Sequence, residues 1–191
     1  MTKTLYCIRH GLALHNVTFW KIGSKAYTDY RDTRLLEIGV EQASYLGKTW
    51  KNIDDVELVI VSPCSRTLST AHYIFKNKKI PIIAKDFLIE YPLGGKDICN
   101  QRKDLNLLKS IYPNIDFSHI KTDELLWHKK TESIEKLEER INKMKEWLIK
   151  RREKTIAIVG HSSFIGQFKD KKIGDEEHEL KHCFPYEVNI E

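Results

Sequence analysis

The chain has 191 residues, of which 41% are hydrophobic and 31% are charged. This is roughly the length of one domain, since domains run about 100 to 200 residues, and it excludes two full catalytic domains. The apolar fraction is ordinary for a globular protein, which argues against wholesale disorder. No run of about 18 apolar residues occurs, so no membrane partner is expected. We predict a single folded domain over residues 1–191.

The formal net charge of +5 comes from 32 Lys and Arg against 27 Asp and Glu, and it favours anionic partners in general. The basic clusters at 76–79, 150–154 and 169–172 are scattered, and acidic residues interrupt most of the basic sequence. Nucleic-acid-binding proteins concentrate basic charge on one face, so a nucleic-acid partner is not expected.

The cysteines lie far apart in the sequence and form no C-x-x-C pair. This spacing fits neither a zinc site nor a small disulfide scaffold, so we expect reduced thiols and a cytoplasmic location. The cysteines are Cys7, Cys64, Cys99 and Cys183.

Strand-length apolar runs alternate with helical patterns along the chain. The runs at 5–8, 58–61, 80–84 and 156–159 are nearly continuous and rich in Ile and Val, which is typical of strands buried on both faces of a parallel sheet. Pro81 favours an edge position for the third run. Helices are predicted over 36–50, around 68–75 and over about 132–152, where apolar residues recur every three or four positions. Alternation at 186, 188 and 190 indicates a last edge strand.

This order predicts an α/β fold, namely a three-layer α/β/α sandwich around a mostly parallel, doubly wound sheet. Residues 12–34 and 91–130 show no clear pattern apart from a short helix over 103–112. The second segment is too long for a simple connection in a compact domain, so we interpret 91–130 as a lid or substrate-binding insertion.

Polar residues follow each predicted strand of the parallel sheet. Ligands of such sheets bind beyond the carboxyl ends of the strands, so these residues are expected to meet at one site. They are Arg9 and His10 after the first run, Arg66 after the second, Glu90 after the third and His161 after the fourth.

Two arginines and two histidines can surround a tetrahedral phosphate with hydrogen-bond donors. A neutral imidazole can also attack phosphorus, and Arg9 and Arg66 would help to keep His10 neutral. Glu90 could protonate the leaving alkoxide and then activate water. This chemistry calls for no metal or cofactor, and the predicted partner is a phosphorylated small molecule.

The sequence resembles the histidine phosphatase (phosphoglycerate mutase-like) superfamily in the order and spacing of several motifs. Residues 112–118 and 123–127 are further similar to the plant and fungal phosphoglycerate mutase-like proteins. The superfamily motifs are Arg9-His10-Gly11 with Asn16; Leu35, Glu37 and Gly39 with Gln42-Ala43; Val61-Ser62-Pro63; the run from Arg66 to Ala71; Glu90; and Val159-Gly160-His161-Ser162.

The resemblance implies a phosphoglycerate mutase-like fold and a metal-independent phosphomonoester hydrolase that works through a phosphohistidine. It implies that His10 is the nucleophile and Glu90 the general acid and base. It assigns phosphate contacts to the remaining motif residues, which are Arg9, Asn16, Arg66 and His161, with a backbone contribution from Ser162 and Ser163. The chain departs from the usual pattern at Leu12, Arg34 and Leu36, which affects the expected substrate more than the reaction.

Some alternatives remain open at this point. Arg102, just beyond Glu90, could contact a second anionic group of the substrate. A mutase of the phosphoglycerate mutase type would return the phosphoryl group to bound product instead of to water. A serine hydrolase could use Ser162 with His178 or His182, although Phe164 replaces the last glycine of the G-x-S-x-G motif. The oligomeric state, monomer or homodimer, is also open.

Overall fold

The computed structural model describes residues 2–120, 127–173 and 179–191 of the chain. The strands are β1 (Lys3–Arg9), β2 (Leu58–Val61), β3 (Ile82–Ala84), β4 (Thr155–Gly160) and β5 (Pro185–Ile190). The helices are α1 (Leu14–Ile22), α2 (Lys25–Thr28), α3 (Glu37–Thr49), α4 (Ser65–Phe75), α5 (Leu105–Ile111), α6 (Ile134–Ile149) and α7 (Ser162–Asp170).

In the described part of the chain these strands form one five-stranded sheet in the order β3-β2-β4-β1-β5. The pairs β1–β4, β2–β4 and β2–β3 are parallel, and β5 runs antiparallel to β1. The predicted doubly wound sheet, with the 80–84 run at one edge and the last strand at the other, is confirmed.

Alternate residues of each central strand pack against opposite helical layers, because successive side chains of a strand point to opposite faces. Tyr6 and Ile8 of β1 face the layer of α3 and α4. Leu5 and Cys7 face α6 and α7. The sheet therefore lies between two apolar layers, as the three-layer prediction requires.

The main helices begin and end within a few residues of their predicted limits. Helix α6 buries the apolar stripe that predicted it, and the Ser133 side chain caps its first turn by accepting the Lys136 N–H. Helices α1 and α2 lie in the segment left unassigned, and His15 is the residue of α1 that is buried. No apolar stripe predicts α1 because its polar and apolar residues do not separate onto two faces. Among the described residues no helix is long and apolar enough to cross a membrane.

The described parts of the 91–130 segment occupy two different places. Residues near its start line a cavity at the carboxyl edge of the sheet. Beyond α5, Ile115 and Phe117 are buried with α4, and the Asp116 N–H and C=O pair with Ile82 and Ala84 at the β3 edge. Only the first part is therefore placed against the cavity, and the interpretation of the whole segment as a lid stays a prediction.

Two glycines bring the loop after β1 into contact with the first turn of α3. A Cβ added to Gly11 would overlap the Gly39 carbonyl, and a Cβ added to Gly39 would overlap the Leu12 carbonyl. The Leu36 N–H also donates to the Leu12 carbonyl, at 3.0 Å. The position of the loop that carries His10 thus depends on the absence of side chains at both glycines.

We expect Gly39→Ala to destabilise the protein by about 2 kcal/mol, because the overlap is with backbone that cannot rotate away. In an unobstructed helix the same change would stabilise by about 1 kcal/mol, so the sign of the effect tests the contact. Urea denaturation measures it. The matched control is Gly160→Ala, whose Cβ would lie 3.5 Å from Ile165 Cδ1, an ordinary contact. A neutral or stabilising Gly39→Ala would contradict the contact.

Candidate active site

The carboxyl ends of β1, β2 and β4 open onto a cavity of about 590 Å³. Strand β1 delivers Arg9 and His10, the turn after β2 leads into α4 with Arg66, and the turn after β4 leads into α7 with Ser162 and Ser163. The described lining includes Arg9, His10, Asn16, Arg66, Glu90, Ser162 and Ser163. A second cavity, of about 780 Å³ beside α6, contains none of these residues.

His10 has its ring nitrogens in defined roles. Its Nδ1 lies 2.7 Å from the Gly11 carbonyl oxygen, which can only accept, so Nδ1 carries the proton. Its Nε2 accepts a hydrogen bond from Arg66 Nε at 3.3 Å, which requires a lone pair on Nε2. Burial and then the charges of Arg66 and Arg9 hold the pKa of His10 well below its ordinary value of 6.5. The ring is therefore neutral, and Nε2 is its unprotonated nitrogen.

Arg66 lies in the first turn of α4 and is 1% exposed. Its guanidinium donates to the Cys99 carbonyl at 2.7 Å and to Asn100 Oδ1 at 3.0 Å, in addition to His10. Asp32 orients this turn, because its carboxylate accepts from the Ser65 N–H at 2.8 Å and the Ser65 hydroxyl at 2.7 Å. Asp32 also accepts from the Lys103 N–H, which ties the 98–103 segment to α4.

Arg9 lies at the end of β1 and is 4% exposed. Its terminal nitrogens contact the Leu180 carbonyl at 2.6 Å and Glu179 Oε1 at 2.5 Å. Its buried Nε has no hydrogen-bond partner among the described residues. A donor held in place without an acceptor is suited to bind an anion.

His161 lies behind His10, with the ring centres 5.4 Å apart, and is fully buried. The Ser62 hydroxyl lies 2.8 Å from its Nε2. When that hydroxyl donates, the ring proton sits on Nδ1, which is buried without a partner among the described residues. Burial and then Arg66 hold the pKa of His161 well below 6.5. The structure thus places His161 against the nucleophile, although it is not part of the cavity lining.

Asn16 lies in the first turn of α1, with its side chain at the cavity wall. Its Oδ1 accepts the Ala13 N–H at 3.0 Å, which orients the amide so that the side-chain NH₂ is the remaining donor. This geometry is compatible with the predicted phosphate contact.

Glu90 lines the cavity and also caps α7. Its carboxylate accepts the N–H groups of Tyr91 at 2.7 Å, Ser163 at 3.1 Å and Phe164 at 3.0 Å. Burial raises the pKa of Glu90 above its ordinary 4.5, and the hydrogen bonds with the nearby Arg66 charge oppose that shift. Because the Ser163 N–H is occupied by Glu90, the backbone contribution expected from Ser163 is directed to this carboxylate.

The side chains of Arg102 and Ser162 are placed differently from what the sequence predicted. Arg102 is 2% exposed and does not line the cavity, and its guanidinium lies near Asp86, with Nε 3.8 Å from Oδ1. The expectation that Arg102 reaches the substrate is therefore corrected. Ser162 lines the cavity, but its Oγ accepts the Leu180 N–H at 3.2 Å. His182 Nδ1 lies 2.6 Å from the His10 carbonyl, so His182 is not engaged as a base for Ser162, and His178 is outside the described residues.

Sequence reasoning missed the placement of His182 and of His15 relative to the nucleophile. Their ring centres lie 5.6 Å and 5.7 Å from that of His10. Burial and then Arg9 lower the pKa of His182 to about 4, and His15 Nδ1 is 2.6 Å from Thr33 Oγ1. His15 lies directly before Asn16, so the motif itself is the sequence signal for its position. His182 is named above only as a base for Ser162, and no local pattern links it to His10, which is 172 residues away in sequence.

The arrangement suits binding of a tetrahedral phosphate and attack on it by His10. Arg9, Arg66 and Asn16 supply donors around the Nε2 lone pair, and the burial of the pocket strengthens their interaction with a dianion. Among the described residues no group of three or more His, Cys, Asp or Glu side chains is placed to hold a metal ion.

Comparison with known proteins shows the fold and the family. Phosphoglycerate mutase-like protein 1 of Arabidopsis thaliana is 33% identical over 198 aligned residues, which cover 85% of this chain and 69% of the relative. The alpha-ribazole phosphatase of Shigella flexneri has a similar structure, with a TM-score of 0.57 and 24% identity over 85% of this chain and 76% of that one.

The phosphoglycerate mutase of Bacillus anthracis str. Sterne matches with a TM-score of 0.60 and 20% identity over 99% of this chain and 88% of that one. The family profile of the histidine phosphatase superfamily (branch 1) matches residues 5–182. The chain therefore belongs to the histidine phosphatase superfamily, branch 1.

Proposed function

We propose that the protein is a phosphomonoester hydrolase that works through a phosphohistidine on His10. The observation that carries the proposal is the defined tautomer of His10, with Nδ1–H bound to the Gly11 carbonyl and an unprotonated Nε2 that accepts from Arg66 Nε, in a cavity that Arg9 also lines. The long hydrogen bond from Arg66 gives way when Nε2 attacks phosphorus. A neutral imidazole so oriented is a nucleophile, and the flanking guanidinium groups stabilise charge on the phosphoryl oxygens.

The reaction has two steps. In the first, His10 Nε2 forms a bond to phosphorus while the ester P–O bond breaks, and the leaving alkoxide takes the proton of the Glu90 carboxylic acid. In the second, the Glu90 carboxylate removes a proton from water as the water oxygen attacks phosphorus, and the P–Nε2 bond breaks. Inorganic phosphate leaves, and both side chains return to their starting protonation states.

Hydrolysis is favoured over mutase activity by the charges around the cavity. A phosphoglycerate mutase has to hold a substrate that carries a carboxylate beside its phosphate. Among the described lining residues the cationic side chains are Arg9 and Arg66, both next to His10. A second anionic group has no cation beyond them to bind it, which weakens the case for retention and return of the phosphoryl group.

We expect His10→Ala to lower phosphatase turnover by about 10⁴-fold and to abolish the phosphoenzyme, because no other group supplies a positioned nucleophile. The assay uses a chromogenic phosphomonoester in excess EDTA. Label from a ³²P-phosphomonoester is detected on a gel run at alkaline pH after an SDS quench, because phosphohistidine is acid-labile. Ser162→Ala is the matched control and should retain most activity.

Loss of all activity in Ser162→Ala, with activity retained in His10→Ala, would favour a serine hydrolase instead. Isomerisation of 3-phosphoglycerate with little release of inorganic phosphate would favour a mutase.

We expect Glu90→Gln to slow the hydrolysis of alkyl phosphates by about a hundredfold, since a general acid contributes on that scale. Esters of 4-nitrophenol should be much less affected, because that leaving group departs without a proton. The ratio of the two kcat/KM values measures the effect, because kcat/KM reports phosphoenzyme formation and is independent of the second step, in which Glu90 serves both esters as the base. An equal loss on both substrates would indicate that Glu90 acts through its contacts with α7 and not as the acid.

The reaction should be fastest at acidic pH. His10 is active when neutral, and its lowered pKa keeps it neutral well below pH 6.5. Glu90 is active in the first step when protonated, and its raised pKa extends that form above pH 4.5. We therefore expect the single-turnover rate of phosphoenzyme formation from a saturating alkyl phosphate to fall as pH rises from 5.5 to 8. An acid limb centred at or above pH 6.5 would contradict a neutral His10.

A further inference from the structure

A continuous series of ring contacts runs from the nucleophile to the surface along one side of the cavity. The ring of His10 is 5.7 Å from that of His15, which is 6.0 Å from Tyr27. Tyr27 stacks on Phe19 at 5.3 Å with an interplanar angle of 22°, and Phe19 meets Trp20 edge to face at 6.2 Å. All of these rings line the cavity. We call this series, from His10 through His15, Tyr27 and Phe19 to Trp20, the aromatic wall.

The outer end of the wall is open to solvent although it is aromatic. His10 is 2% exposed, whereas Trp20 is 80% exposed. An indole in water is not by itself evidence of a site, since single exposed apolar residues are common. Here the indole borders the same cavity as the nucleophile and packs on a ring that also lines it, which points to contact with a ligand.

Beyond the phosphate pocket the described lining offers no cation for a second anionic group. Its cationic side chains are Arg9 and Arg66, and Arg9 already pairs with Glu179. Asp97 is a further acid of the lining, and burial raises its pKa, which reflects how poorly the cavity solvates a negative charge there. A second anionic group on the substrate would meet this acid and no unpaired cation outside the phosphate pocket.

The alcohol half of a bound ester extends from the phosphate pocket into the rest of the same cavity, which the aromatic rings border. Arg66 is hydrogen bonded to the Cys99 carbonyl and to Asn100 Oδ1, so these groups occupy another side of the cavity. The face of an aromatic ring binds a second flat ring by offset stacking or edge contact better than it binds a polyhydroxylated chain, whose hydroxyl groups lose hydrogen bonds to water.

We propose that the substrates are phosphomonoesters whose alcohol half carries a planar, uncharged ring, and that Phe19, Tyr27 and Trp20 bind this ring. This inference rests on the proposed phosphatase function and specifies its substrate class. It also assigns α1 and α2 the role of determining specificity, through residues that are separate from the phosphate pocket.

The test compares esters with similar alkyl leaving groups, so that ring binding is measured apart from leaving-group reactivity. We expect kcat/KM for 2-phenylethyl phosphate to exceed that for glycerol 2-phosphate by about tenfold, with 3-phosphoglycerate poorer than both. Trp20→Ala and Phe19→Leu should reduce this preference severalfold and leave glycerol 2-phosphate within twofold of the parent protein. The exposure of Trp20 makes Trp20→Ala safe for folding.

Tyr45→Ala is the matched control, because Tyr45 is an aromatic residue of α3 that is 70% exposed and lies outside the cavity lining. It should leave all kcat/KM values unchanged. Equal values for the three esters, a preference for 3-phosphoglycerate, or equal losses on all esters in Trp20→Ala and Phe19→Leu would each overturn the proposed wall.

Binding to the His10→Ala variant, measured by calorimetry, separates failure of the wall from failure of the function. Absence of turnover and of phosphoenzyme with all three esters would remove the proposed phosphatase function alone. An approximately tenfold tighter binding of 2-phenylethyl phosphate would then still support the ring-binding wall, and equal binding of the three would overturn it.

Discussion

Burial of the Arg66 guanidinium is the constraint on which the site depends. Among the described residues no carboxylate lies within ion-pair distance of it, and its hydrogen bonds go to neutral acceptors, the Cys99 carbonyl, Asn100 Oδ1 and His10 Nε2. A buried positive charge with only neutral partners is costly and lowers the pKa of every nearby imidazole. The same charge that would be compensated by a phosphate dianion therefore keeps His10 in the form that attacks phosphate.

The hydrogen bonds that position Arg66 and its acceptors involve distant parts of the chain. Asp32 caps the start of α4 and also binds the backbone at Lys103, so one carboxylate orients the helix that carries Arg66 and the segment that accepts its hydrogen bonds. Asp32 is 1% exposed, and its partners come from segments 33 and 71 residues further along the chain. The pocket is thus held by contacts between loops as well as by the sheet.

The sheet and the main helices were predictable from sequence because each depends on the local spacing of apolar residues. Continuous runs of Ile and Val predict the parallel strands, and spacings of three and four predict α3, α4 and α6. The residues at strand ends followed from the rule for open sheets, and the structure places Arg9, His10, Arg66 and Glu90 around one cavity, with His161 behind His10.

The parts that sequence reasoning did not find depend on tertiary contact. Helix α1 has no clear apolar stripe, so the sequence did not predict the aromatic wall that its side chains help to form. His182 reaches His10 only through the pairing of its neighbour Cys183 with Arg9. Arg102 was expected at the substrate because it follows Glu90 closely in sequence, yet the chain turns between the two, and Arg102 packs near Asp86 instead. Closeness of two residues in a loop sequence therefore says little about whether their side chains point to the same site.

The position of Glu90 determines which groups are available to bind phosphate in the proposed hydrolase. The N-terminus of a helix such as α7 is an anion site in its own right, since its free N–H groups and its dipole favour negative charge. Here the Glu90 carboxylate accepts the Ser163 and Phe164 N–H groups, so the positive end of α7 stabilises the ionised acid. Protonation of Glu90 weakens these bonds, whereas transfer of its proton to a leaving alkoxide restores them at full strength. In the proposed mechanism the helix end therefore favours the state that follows proton transfer, and Arg9, Arg66 and Asn16 are the side-chain donors that remain for the phosphate.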